Sequence, residues 1–183
     1  MPSIERVSRR SFLQVLTASA PLIRGHGKIN PPVPVPDISL LRHDGASTSF
    51  LPLVTGQATA VQLMFTACTT TCPIQAAIFQ RVETGIPEMA ARGIQLLSLS
   101  VDPEDDTPKA LSDWRRRFHA GPCWIAAAPK AADVPRVQEF FGKGGDLADH
   151  STQVHILDRQ GRLVWRTFEM PTAQEISRIL QKL

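Results

Sequence analysis

Val61-Gln62-Leu63-Met64-Phe65-Thr66-Ala67-Cys68-Thr69-Thr70-Thr71-Cys72-Pro73 is the stretch from which the rest of this chain can be read. Its first five residues form an apolar run of strand length. Pro73 suits the first turn of a helix, where its missing N–H costs nothing, and Ile74, Ala77, Ile78 and Val82 then recur at helical spacing. Between strand and helix lie two thiols with three residues between them. With a helix beginning near Pro73, Cys72 sits at its N-terminal edge, where the dipole and free N–H groups favour a thiolate. Cys68 lies one loop turn earlier, so both sulfurs can face one point. That point is either a soft metal ion or another disulfide.

Outward from this loop the chain alternates strand and helix signals. Ile38–Leu41 and Thr48–Phe50 flank His43-Asp44-Gly45, a hairpin-like turn. Ile94–Val101 reads as a second central strand. Thr107 and Pro108 open a helix with Leu111, Trp114 and Phe118 on one face. Trp124–Ala127 is a short strand, and Val134, Val137 and Phe141 mark another helix. Val154–Leu157 and Leu163–Thr167 flank Asp158-Arg159-Gln160-Gly161, a strong hairpin signal. Thr172 and Glu175 form a capping box ahead of Ile176, Ile179, Leu180 and Leu183. This order predicts an α/β fold: a thioredoxin-like sandwich, a central mixed β-sheet flanked by helices, with an inserted or N-terminal β-hairpin.

The 183 residues, 43% of them apolar, suffice for one domain with a sizeable core plus an appendage. The formal net charge is +3. Arg6, Arg9 and Arg10 oppose only Glu5 near the start, so the body is close to neutral, which argues against a nucleic-acid-binding surface. Residues 1–25 read as an export signal: Ser8-Arg9-Arg10-Ser11-Phe12-Leu13 resembles a twin-arginine motif ahead of an apolar run from Phe12 to Ile23. That run extends roughly 18 Å as a helix, short of the ~30 Å hydrocarbon core. Ala18-Ser19-Ala20 is similar to a cleavage site, but Pro21 would hinder the peptidase, so the segment is also a candidate for N-terminal membrane association. Residues 26–36, with Pro31, Pro32, Pro34 and Pro36, read as an extended Pro-rich linker. The domain is expected over residues 37–183.

Thiolate is the form needed both for metal ligation and for attack on a disulfide. A three-residue spacer opens the loop wider than the two-residue spacer of thioredoxin-type oxidoreductases, leaving room for an ion between the sulfurs. A disulfide that merely braces the loop is a third reading. His150, in Asp149-His150-Ser151, lies on a Gly-rich loop that presents an imidazole well. Two thiolates and an imidazole suit Cu(I), which prefers soft ligands; zinc could use the same set with one open position.

Phe65-Thr66-Ala67-Cys68-Thr69-Thr70-Thr71-Cys72-Pro73 closely resembles the copper-loop signature of the SCO/SenC copper chaperones. Ser100-Val101-Asp102-Pro103-Glu104-Asp105-Asp106-Thr107-Pro108 is similar to that family's second signature, and Asp149-His150-Ser151 to its third. The resemblance implies copper, as Cu(I) or also Cu(II), ligated by Cys68, Cys72 and His150 in a thioredoxin-like domain. It implies delivery of that copper to the dinuclear site of cytochrome c oxidase, with subunit II as recipient. In an oxidising periplasm a thiol reductant or copper donor becomes a further partner. It also suggests that Asp102 lies near the copper loop and tunes it; a cap or turn residue beside Pro103 is the other reading. The alternative is an enzyme, a thiol–disulfide oxidoreductase working through Cys68 and Cys72 on an oxidase subunit or another periplasmic protein. A peroxidase would need a peroxidatic motif that the chain does not show.

The remaining polar residues read more plainly. Cys123 is expected as a small buried hydrophobe, and Arg115, Arg116 and Arg117 as a solvated helix face. His26, His43, His119 and His155 read as solvent-facing or packing residues. Met64 is placed in the core and Met170 in a loop.

Overall fold

The computed structural model describes residues 26–142 and 152–183. Its centre is an eight-stranded mixed sheet. In chain order the strands are β1 (Gly27–Pro34), β2 (Ser39–Arg42), β3 (Ser47–Ser49), β4 (Ala58–Met64), β5 (Ile94–Ser100), β6 (Trp124–Pro129), β7 (His155–Leu157) and β8 (Arg162–Arg166). The helices are α1 (Phe50–Val54), α2 (Thr71–Gly85), α3 (Pro108–Arg117), α4 (Val134–Phe140) and α5 (Ala173–Leu180). Spatially the order is β1-β8-β7-β4-β5-β6-β2-β3. β4, β5 and β6 run parallel, joined by α2 and α3, while every other pairing is antiparallel.

All residues of β4 and of β5 are buried, as strands covered on both faces must be. Ala58, Ala60 and Met64 pack toward α2, α3 and α5, while Val61 and Leu63 point into a second core beneath α1 and α4. Trp124 anchors the first core: fully buried, it meets Phe79 and Trp114 edge-on, and its Nε1–H donates to Ser98 Oγ at 2.8 Å. Emptying such a site typically costs about 3–5 kcal/mol.

Both predicted hairpins form, β2–β3 and β7–β8. Asp158 Oδ1 accepts the N–H groups of Gln160 and Arg162 to shape the second turn, and Gly161 supplies the positive φ of 72° that it requires. Thr107 caps α3 by accepting the Ala110 N–H, and Thr172 caps α5 by accepting that of Glu175.

The structure differs from the sequence reading at several points. The Pro-rich segment read as a linker is largely strand: β1 pairs antiparallel with β8 at the sheet edge. An edge strand tolerates prolines because only one side of its backbone need bond. On α2 the buried positions are Cys72, Gln75, Ala76, Phe79 and Val82, whereas Ile74 and Ala77 are exposed. The helix starts at Thr71 rather than Pro73, and its inward face is aligned on Cys72. Arg115 is not part of a solvated face: its Nε donates to Trp124 O and its Nη2 to Gly121 O, both at 2.7 Å, fastening α3 to the start of β6. Arg116 and Arg117 are exposed, as expected.

Candidate metal centre

The carboxyl end of β4 meets the amino end of α2 in the loop that carries both cysteines. Strand pairing continues one residue past β5, from Val101 N–H to Met64 O at the end of β4, at 3.0 Å. The chain then turns, with Cys68 N–H donating to Phe65 O at 3.2 Å. α2 opens without a side-chain cap from Thr70. In its place Cys68 Sγ accepts the N–H of Cys72 at 3.5 Å, one of the free amides at the helix start. The hydroxyls of Thr70 and Thr71 lie 3.8 and 4.0 Å from the same sulfur. Both cysteines are buried free thiols.

This geometry reverses the expectation that Cys72 is the readily ionised thiol. Burial works to raise Cys68, but hydrogen bonds from the Cys72 thiol and amide and from the Thr70 amide and hydroxyl outweigh it. The result is a fall from 9.0 to about 7. Cys72 is pushed up to about 12, first by burial, then by its hydrogen bond to Cys68 and the adjacent Cys68 charge. The helix terminus does favour a thiolate; the sulfur that receives its amide belongs to the residue four positions earlier.

Two thiols in mutual hydrogen-bonding contact, neither tied in a disulfide, form a donor pair that fits one soft cation. Among the described residues no group of three or more His, Cys, Asp or Glu could hold a metal ion. His150 lies outside the described residues. The chain resumes beside the site: buried Gln75, three residues after Cys72, donates its Nε2–H to Gln153 O at 3.2 Å. Glu169 Oε2 accepts both the N–H and the hydroxyl of Thr152.

Asp102 contributes its backbone N–H to Ser100 Oγ at 3.0 Å. Burial raises its carboxyl, and Asp105, Asp106 and Glu104 add to that rise. The carboxylate that touches the cysteine loop is Asp106, which the sequence reading passed over. With several acids in one turn, spacing could not single it out. Cys123 is half-buried just before β6, at the opposite end of the parallel strands from the cysteine loop. Among the histidines, His155 is fully buried, its ring 4.6 Å from that of Phe141, and Nδ1 receives Arg166 Nε–H at 3.4 Å. Met64 is in the core and Met170 is exposed. No helix among the described residues is long and apolar enough to cross a membrane.

Residues 35–183 match the SCO1/SenC family model. The fold is shared with solved structures of low sequence identity. A SCO1/SenC family lipoprotein from Bacillus anthracis is 20% identical, with 85% of this chain and 98% of that one aligned at a TM-score of 0.71. Copper-bound ScoI of Bradyrhizobium japonicum is 21% identical over 82% of this chain and 99% of that one, TM-score 0.68. Copper-bound ScoI of Arabidopsis thaliana is 19% identical over 81% and 96%, TM-score 0.67. No curated protein matches the chain in sequence.

Proposed function

The chain belongs to the SCO1/SenC family, and from that membership we propose that it is a copper-binding metallochaperone. Its cargo is held by Cys68, Cys72 and His150 and passed to the dinuclear copper site of cytochrome c oxidase, on subunit II. The observation that carries this reading is the pair of reduced, buried thiols in contact at the mouth of α2. Cys68 supplies a thiolate near neutral pH; Cys72 gives up its proton as the soft ion arrives. The tie between Gln75 and Gln153 supports His150 as third ligand. Gln75 stands three residues after Cys72 and Gln153 three after His150, so the described chain next to the histidine is tied to the cysteine helix. Ile74, nearly half exposed one residue beyond Pro73, offers a receiving subunit an apolar contact beside the cysteines.

The test is anaerobic titration of the reduced protein with Cu(I), read by stoichiometry and X-ray absorption. One equivalent bound by two sulfurs and one nitrogen is expected, with the nitrogen lost in His150→Ala. Binding no tighter than that of a Cys68→Ser variant sinks the proposal.

A second reading, thiol–disulfide oxidoreductase, is favoured by the unequal thiols. Cys68 thiolate would attack a partner disulfide, forming a mixed disulfide and expelling one partner thiolate. Cys72, once deprotonated, would attack Cys68 Sγ, releasing the second thiolate and leaving a Cys68–Cys72 disulfide. The two roles part at His150: its replacement by Ala weakens copper binding but leaves this exchange intact. Either role places the protein in the periplasm, exported by the Arg9-Arg10 signal and dependent on a thiol reductant or copper donor. Export that persists after both arginines become lysine excludes that route.

A further inference from the structure

The limb of the loop that enters the cysteine pair is fastened by one buried carboxylate. Asp106 is 2% exposed. Its Oδ1 accepts the Thr66 N–H at 2.9 Å and the Thr66 hydroxyl at 2.5 Å, and its Oδ2 accepts the Ser100 hydroxyl at 2.6 Å. Ser100 closes β5, and its oxygen in turn accepts the Asp102 N–H. Asp106 N–H returns to Asp102 O at 2.9 Å. A single side chain therefore joins the end of β5 to the strand exit of β4. All three groups that meet it, two from Thr66 and one from Ser100, donate, so the carboxylate acts purely as acceptor, the arrangement in which such bonds are strongest.

Thr66 stands two residues before Cys68. Peptide planes are stiff, so with only two links between them a displacement of Thr66 is passed on to Cys68. The turn is tightened further by the Cys68 N–H to Phe65 O bond. Neither cysteine touches Asp106 through any of these bonds; the carboxylate acts on them through Thr66.

We infer that Asp106 is a positioning residue for the thiol pair: by holding Thr66 it sets where Cys68 Sγ stands relative to Cys72 Sγ. The choice of copper as probe rests on the function proposed above, but the positioning concerns the thiols whatever they bind. An acid that only stapled the loop for stability would affect unfolding and leave the chemistry of the thiols alone.

The experiment uses the full chain with Asp106→Asn, Thr66→Val and Thr66→Ser. Three quantities are read: the Cu(I) dissociation constant by chelator competition, the metal-free dithiol–disulfide equilibrium against dithiothreitol, and the thermal unfolding midpoint. In Asp106→Asn the Cu(I) affinity is expected to fall by about ten- to a hundredfold, the range for residues that orient metal ligands. The thiol equilibrium is expected to move by at least about threefold, or about 14 mV. Thr66→Val, which keeps the shape but loses the hydroxyl donor, moves both in the same direction by less; Thr66→Ser restores them.

Asp106→Asn with a lower unfolding midpoint but unchanged equilibria overturns the inference, as does Thr66→Ser behaving like Thr66→Val. If Asp106→Asn does not fold, Thr66→Val decides: wild-type equilibria there overturn it. If the wild-type protein binds no Cu(I), the copper function fails by itself. The dithiothreitol equilibrium then still judges the positioning role, a shift supporting it and no shift overturning it.

Discussion

Cys68→Ser and Cys72→Ser are each expected to weaken Cu(I) binding by more than about a hundredfold, beyond the loss that follows removal of a ligand's supporting partner. Serine is nearly isosteric with cysteine, so the fold has no reason to fail, and the effect isolates the sulfur. A hydroxyl offers a hard neutral oxygen where Cu(I) wants a soft anionic donor. Both thiols are buried and in contact, and among the described residues no third His, Cys, Asp or Glu joins them as a metal group. Cys123, at the far end of the parallel strands, cannot step in; Cys123→Ser should bind as the wild type does. Competition against a chromophoric Cu(I) chelator measures all three variants. Either loop variant retaining affinity within tenfold of wild type would remove that cysteine from the ligand set.

The second large effect is a difference between the two thiols in the metal-free protein. At pH 7.5 a small alkylating reagent should label Cys68 and leave Cys72 untouched, as peptide mapping after a timed quench would show. Cys68 is lowered to about 7, so its thiolate predominates above that pH and its labelling rate falls to half near pH 7. Cys72 is raised to about 12 and stays protonated throughout the accessible range. A low thiol pKa trims intrinsic nucleophilicity, but the gain in thiolate fraction is much larger here. Cys72→Ala should also raise the Cys68 midpoint, since it removes the side-chain donor that hydrogen-bonds to Cys68. Preferential labelling of Cys72 would reverse the assignment of roles.

Much of the fold was legible because its signals are local. The apolar run ending at Phe65, the Thr107 and Thr172 caps and the Asp158–Gly161 turn each carry their own chemistry within a few residues. What was missed depends on partners distant in sequence. Gly27–Pro34 looks like a linker until β8 is there to pair with it. Ile74 looks like core until Cys72 fixes which face of α2 turns inward. The cysteine pair was plain from its spacing, but the question of which sulfur receives the helix amide depends on a contact between residues 68 and 72. Asp106 was hidden for the same reason: its bond crosses forty positions to Thr66.

The pairing of β1 with β8 has a consequence for reach. A free tether over residues 26–36 could extend roughly 36–40 Å at full stretch, enough to let the domain sweep a wide zone around an anchored leader. With Gly27–Pro34 laid down along the sheet edge, the slack those residues would have supplied is gone. If the chain is held at a bilayer, the cysteine loop then sweeps a smaller zone than a free tether over those residues would allow, and a recipient would have to present its site nearer the point of attachment.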